Sequence, residues 1–387
     1  MSEFNNFEEQ NDEVSFDFGD DIDLSMPSGD DENQLQEIAL EDLIAFGLSR
    51  GASDIHIKEG EPPICRIEGK MLRVGNTRSL DSDDVDTILK SCIDDEHLRV
   101  FTETNQVDFA YTNYDGTRLR CNAFKENGKT GIVYRILKEG TPNLDDLDVP
   151  SVIRMFSQLS SGLVLVTGPT GSGKTTTLAG ILNEINLNQQ KHIITLEDPI
   201  EYTYKSKSSI VRQREIGRDV ASFADGLRAA LREDPDVILV GELRDLESIS
   251  IALTAAETGH LVFGTLHTIG AAKTIDRLVD VFSAAQQQQV RVQLSGVLRG
   301  IISQKLVKRS DKAGRIAAFE IMLATPSVIS MIRDGKWAGI DNAIQTGASS
   351  GMLSLNRHLA QLVGEAKISR EQAFAASNNV EDLKSII

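Results

Sequence analysis

Between Gln34 and Ser49 apolar side chains fall at Leu35, Ile38, Ala39, Leu43, Ile44 and Phe46. Their spacing is close to helical and predicts one amphipathic helix. The period then shortens to two. The segments ASDIHIKEG, PICRIEGKMLRVG, VDFAYTNYDGTRLRCNAF and TGIVYRILKEG alternate apolar and polar positions, and turn residues such as Tyr114, Asp115 and Gly116, or Asn127 and Gly128, separate them. That pattern predicts short strands, and with the helix it outlines a small sheet-containing domain over residues 35–140. Pro142 and Pro150 bracket an acidic stretch that reads as a linker over residues 141–150.

Beyond the linker the pattern changes again. LVLVT, HIITLED, DVILVGE and HLVFGTLH are short apolar runs, with helical stretches between the first three. Strands that alternate with helices predict an α/β domain around a parallel sheet, with ligand groups at the carboxyl ends of the strands. From Ala284 onward the pattern reads as mostly helical, so residues 151–387 are expected to form one larger domain with a helical C-terminal part. There is no convincing internal repeat.

The first of these strands runs into Gly168, Pro169, Thr170, Gly171, Ser172, Gly173, Lys174 and Thr175, followed by Thr176. This is the phosphate-binding pattern G-x-x-x-x-G-K-[ST] in full, in its expected strand context, which a Gly-rich connecting turn has no reason to satisfy. Its glycines let successive N–H groups face phosphates at the start of a helix. Lys174 is suited to neutralise the β and γ phosphates of ATP, and the Thr175 hydroxyl to ligate Mg2+. Other strand ends supply acids: Glu197, Asp198 and Glu201 after HIITL, and Glu242 after VILVG. Glu242 reads as the metal-side acid. Gly241 occupies the place where an Asp is usual, so its contact with Mg2+ is expected through water. Hydrolysis also needs a group to orient or deprotonate water, and spacing leaves Glu197 and Glu201 both open. His260 and His267 flank the strand LVFGTL, and both are candidates to sense a γ-phosphate.

Composition narrows the classes. With 387 residues and 40% hydrophobic content, the chain can build two cores. Residues 1–34 carry twelve Asp or Glu and no Lys or Arg, which accounts for two-thirds of the net charge of −18 and predicts a disordered acidic tail, with or without a partner of its own. A negative chain with 5% aromatic residues gives little support to the alternative of a RecA-like nucleic-acid translocase, which needs a basic groove and stacking rings. No apolar run approaches the ~18 residues of a membrane span, and the N-terminal residues lack the pattern of a secretion signal. A cytoplasmic protein without a transmembrane segment is expected. Cys65, Cys92 and Cys121 are widely spaced and form no CxxC pair, which argues against a disulfide framework or zinc knuckle.

Taken together, GPTGSGKTT, LEDPIEY, LREDPDVILVGELRD and TAAETGHLVFGTLHT resemble the phosphate loop, aspartate box, variant acidic strand and histidine box of the type II/IV secretion ATPase superfamily. Within it the chain is similar to the type IV pilus retraction ATPases, from about Leu35 to the C-terminus, through ASDIHIKEGEPP, RLRCNAF, AAKTIDRLVDVF, AIQTG and GML. The resemblance implies a homohexamer in which a PAS-like N-terminal domain packs on the RecA-like P-loop NTPase domain of the next subunit. It implies ATP and Mg2+ as cofactors and favours Glu201 over Glu197 as base. It also implies that Arg118, Arg120 and Arg135 reach the neighbour's phosphates. The implied partners are an inner-membrane platform protein and, indirectly, pilin, at the inner face of the cytoplasmic membrane. Extension ATPases carry a further N-terminal domain and a four-cysteine zinc insertion, neither of which occurs here. TPSVISMIRDGK resembles the C-terminal helix motif of retraction ATPases, although Val328 and Ser330 replace the usual Ala and Asn, which leaves a retraction-accessory paralogue or a conjugation-type secretion ATPase open. Val328, Ile329, Met331 and Ile332 make a one-sided stripe, a pattern more often core than partner surface.

Overall fold

The computed structural model describes residues 38–387 save 68, 76, 138 and 139. The acidic stretch 1–34 lies outside the described residues, as do the first residues of the helix expected from Gln34. The chain divides into two compact units at Leu137 and Lys138.

In the first unit, α1 (Leu40–Ser49) precedes β1 (Ala52–Lys58), β2 (Ile64–Ile67) and β3 (Lys70–Arg73). Two helices that the strand-like periodicity did not suggest, α2 (Ser82–Cys92) and α3 (Asp95–Thr104), then lead to β4 (Gln106–Thr112), β5 (Arg118–Glu126) and β6 (Lys129–Ile136). Asp81 starts α2 as a capping box with Asp84, which satisfies backbone donors the helix cannot pair itself. The six strands form an antiparallel sheet in the order β3-β2-β1-β6-β5-β4. Asn127 and Gly128 both take positive φ, the geometry of a two-residue hairpin turn, and so fix the register of Glu126 opposite Lys129. One face of the sheet closes over a core that includes Leu43, Ile55, Leu119 and Tyr134.

In the second unit, α4 (Val152–Met155) leads to β7 (Gly162–Thr167), α5 (Lys174–Asn188), β8 (His192–Glu197), β9 (Ile210–Glu215), α6 (Phe223–Ala230) and β10 (Val237–Val240). Next come α7 (Leu246–Glu257), β11 (Leu261–Leu266), α8 (Ala271–Asp280), α9 (Ala284–Val297), β12 (Leu298–Lys308) and β13 (Arg315–Leu323). The chain ends with α10 (Pro326–Asp334), α11 (Ala338–Thr346), α12 (Leu355–Gly364), α13 (Arg370–Ala376) and α14 (Val380–Lys384). The sheet order is β13-β12-β7-β11-β10-β8-β9, parallel throughout except at β13. Every position of β7, β10 and β11 is buried, so other elements cover both faces of the sheet centre. Each Leu, Ile or Val buried there contributes about 1.5–3 kcal/mol against exposure. A mixed α/β protein is the observed class.

Two expectations need correction. The region after Ala284 is mostly helical but not helical throughout, since β12 and β13 extend the sheet. The helical period ends at Val297, and Gly300 lets β12 approach Phe156 closely: a Cβ there would stand 2.5 Å from the ring. Residues 141–150 are more than a linker. Leu144–Leu147 form a turn of 3-10 helix, Leu144 is buried in the core of the second unit, and the Asn183 side chain donates to Asn143 Oδ1 at 2.8 Å. Among the described residues no helix is long and apolar enough to cross a membrane.

Candidate functional site

The phosphate loop lies between β7 and α5, and its shape depends on glycine. Gly168, Gly171 and Gly173 have φ of 143°, 74° and 88°. A Cβ at Gly168 would stand 2.3 Å from the Gln304 carbonyl oxygen, whereas one at Gly171 would meet open space. Gln304, on β12, supports the loop by donating its side-chain amide to Ser172 O at 2.7 Å. Lys174 is buried, and its ammonium donates to Gly168 O at 2.9 Å and Pro169 O at 3.1 Å. Burial lowers its pKa, while the charges of Glu242 and Glu201 oppose that shift. The buried Ser172 hydroxyl has no hydrogen-bond partner. Open space above Gly171, a folded-back lysine and an unpaired hydroxyl fit a polyanion.

The strand ends converge on a cavity of about 90 Å³ lined by Thr175, Glu197, Asp198, Glu201, Glu242 and Arg244. The two candidate bases differ sharply. Glu197 is buried and accepts from Thr195 Oγ1 at 2.6 Å and Gln213 Nε2 at 3.1 Å, and burial raises its pKa. Its carboxylate is occupied in fixing β8. Glu201 is half-buried and lines the same cavity. Glu242 pairs with Arg244 at 2.7 Å and with His267 Nε2 at 3.2 Å. Burial raises its pKa, but the hydrogen bonds from Arg244 and His267 outweigh that and hold the carboxyl below the ordinary glutamate value. No cluster of three or more His, Cys, Asp or Glu among the described residues could hold a metal alone. The donor set is nonetheless all oxygen at Thr175, Glu201 and Glu242, as a hard divalent cation shared with phosphates requires.

The histidines part company. His267 follows β11 and bridges Glu242 to the loop, its Nδ1 lying 3.5 Å from Thr170 Oγ1. His260 precedes the same strand, about 20 Å away at six residues of strand rise. Its Nδ1 lies 2.9 Å from Ala255 O and 3.2 Å from Thr258 Oγ1, so it closes the end of α7, away from this chain's phosphate loop. In the first unit, Arg118 opens β5, and Arg120 stands directly opposite Arg135 of β6.

Several contributors escaped the sequence patterns. Gln304 lies on a strand that looked helical. Arg244 follows Glu242 by two residues and reads as surface charge. Thr176 was expected at the nucleotide, and its hydroxyl lies 3.1 Å from Tyr202 OH. Beside the loop, a groove lined by Pro169, Thr170, Lys305, Leu306, Val307 and Lys308 adds an apolar floor next to basic groups. Only the G-x-x-x-x-G-K-[ST] signal itself hinted that a groove should adjoin this loop.

The pattern of the type II/IV secretion system protein family matches residues 105–371. The chain is similar to the type IV pilus retraction ATPase PilT of Pseudomonas aeruginosa, at 48% identity over 332 residues, covering 86% of this chain and 96% of that protein. It is also similar to a twitching motility protein of Neisseria gonorrhoeae, at 45% identity over 321 residues, covering 83% and 86%. A crystal structure of the pilus retraction motor PilT with bound ADP superimposes with a TM-score of 0.83 at 42% identity, covering 90% of this chain and 99% of that one.

Proposed function

The chain belongs to the type II/IV secretion system protein family, and from that premise we propose that it is a type IV pilus retraction ATPase, converting ATP and water to ADP and phosphate and coupling the turnover to pilus withdrawal. The observation that carries this reading is similarity to a retraction ATPase along 86% of the chain and 96% of the relative, with the phosphate loop and its facing carboxylates included.

Lys174 leaves the loop carbonyls for the β and γ phosphates. Thr175 would hold Mg2+ directly and Glu242 through water, and the ion would supply positive charge against that of the phosphates. Glu201 takes the proton of the attacking water, since Glu197 is already engaged with Thr195 and Gln213. His267 reads the γ-phosphate: set between Thr170 and Glu242, it can exchange either contact for a phosphate oxygen. The base and ribose occupy the groove floored by Leu306 and Val307.

In this proposal residues 35–140 form a PAS-like domain and residues 151–387 a RecA-like domain. Six copies close a ring, and Arg118, Arg120 and Arg135 serve the neighbouring subunit's phosphates. The ring works at the inner face of the cytoplasmic membrane on a platform protein, and through it on pilin. Deleting the gene tests the reading. Excess surface pili, restored to normal by the unaltered chain and not by Lys174→Ala, are expected. Loss of pili, or an unchanged number, would overturn it.

A further inference from the structure

Asp54 is a carboxylate at the centre of the first unit's sheet, only 6% exposed. On β1 it stands in register with Arg66 of β2 on one side and Arg135 of β6 on the other. Its Oδ1 accepts from Arg135 Nε at 3.0 Å, its Oδ2 accepts from Ser53 Oγ at 2.7 Å, and Arg66 Nε lies 3.7 Å away. Arg66 is fastened a second time, by Nη1 donating to Gly69 O at 3.1 Å. Arg135 is held differently. Only its Nε edge meets Asp54, and its side chain is 63% exposed, so the terminal fork is left to solvent. Arg120 lies directly across the ladder from Arg135, and among the described residues it has no hydrogen bond or ion pair.

Two like charges directly opposed on adjacent strands destabilise a sheet. A sheet selected for stability alone has no reason to oppose them, or to sink a carboxylate whose grip leaves the guanidinium fork unused. A guanidinium held at Nε presents its other two nitrogens in the parallel geometry that matches a phosphate.

We propose that Asp54 is a positioning residue for ATP turnover: it clamps the Nε edge of Arg135 so that the fork stands beside Arg120 as a preset receptor for a triphosphate bound by the adjacent subunit. The proposal rests on the reading that these arginines act on a neighbour's phosphates. Asp54 touches no substrate and acts only through Arg135. Without it the guanidinium keeps its charge but samples rotamers that point elsewhere.

The test is steady-state phosphate release by the full-length assembled chain. Arg135→Ala is expected to lose about 1,000-fold or more of kcat, the order of magnitude at which arginine fingers act. Asp54→Asn should lose about 10- to 100-fold, as misplacement costs, with KM for ATP and the thermal midpoint close to those of the unaltered chain. Asp54→Asn added to Arg135→Ala should cost nothing further. Arg135→Lys should fare as badly as Arg135→Ala, because one ammonium cannot serve Asp54 and a phosphate together. Unchanged kcat in Arg135→Ala would overturn both the arginine reading and this proposal. A loss in Arg135→Ala together with normal kcat in Asp54→Asn, multiplying losses in the double variant, or full activity in Arg135→Lys would overturn the role of Asp54 alone.

Discussion

Acidification should weaken the second unit through one side chain, His358. Its ring is 6% exposed, and Nδ1 accepts the backbone N–H of Phe319 at 2.9 Å, tying α12 to β13. Protonation would set a second N–H against that donor. Burial drives the pKa from 6.5 down to about 4. Between those values the unfolded chain takes up a proton and the folded chain does not, so stability is complete above pH 6.5 and falls as the pH drops. At about 1.4 kcal/mol per unit, the loss reaches about 2 kcal/mol at pH 5 and about 3 kcal/mol near pH 4, where the folded state also protonates. Carboxylates titrate over part of this range, so the informative quantity is the difference between the unaltered chain and His358→Gln, which lacks the titration. Urea unfolding followed by the fluorescence of Trp337, the chain's only tryptophan and packed on this unit's core, reads the right region. Between pH 7.5 and 5 the unaltered chain should lose about 2 kcal/mol more than the variant. Equal losses would refute the argument.

Gly300→Ala would bring a Cβ to 2.5 Å from the Phe156 ring and 2.9 Å from Met322 O, and should cost about 1–3 kcal/mol; an unchanged thermal midpoint would count against it. Mixing inactive Lys174→Ala with inactive Arg120→Ala subunits should restore some phosphate release, because certain interfaces then pair an intact loop with an intact arginine. No recovery despite proven co-assembly would contradict action in trans. On α10, Val328 and Ile332 are fully buried, while Arg333 is exposed and Ser330 half-buried. Substituting Ser330 and Arg333 together should spare phosphate release and impair pilus withdrawal. Equal losses in both would remove this helix from the coupling.

The phosphate loop was legible to the residue because its chemistry is local: glycines at fixed offsets, then Lys174 and Thr175 at the helix start. The four parallel strands were legible too, as continuous apolar runs buried on both faces. What escaped depends on tertiary contact. Nothing local separates β12 from a helix, since Gly300 has meaning only against Phe156. Spacing left Glu197 and Glu201 both open because the groups that engage Glu197 are Thr195 on its own strand and Gln213 on the edge strand β9. His260 and His267 look equivalent as neighbours of one strand, yet they sit at its opposite ends and His267 is the one beside the phosphate loop. Leu144 looked like part of a spacer because its partners lie on α5.

Phosphate release by Glu201→Gln, measured beside its ATP binding, tests the central claim most directly. In the proposed mechanism Glu201 serves the water, while Glu197 is engaged by Thr195 and Gln213. The variant should therefore bind ATP with Mg2+ as the unaltered chain does while turnover falls by about 100-fold or more. Near-normal phosphate release by the purified variant would contradict the account and return the role of base to Glu197.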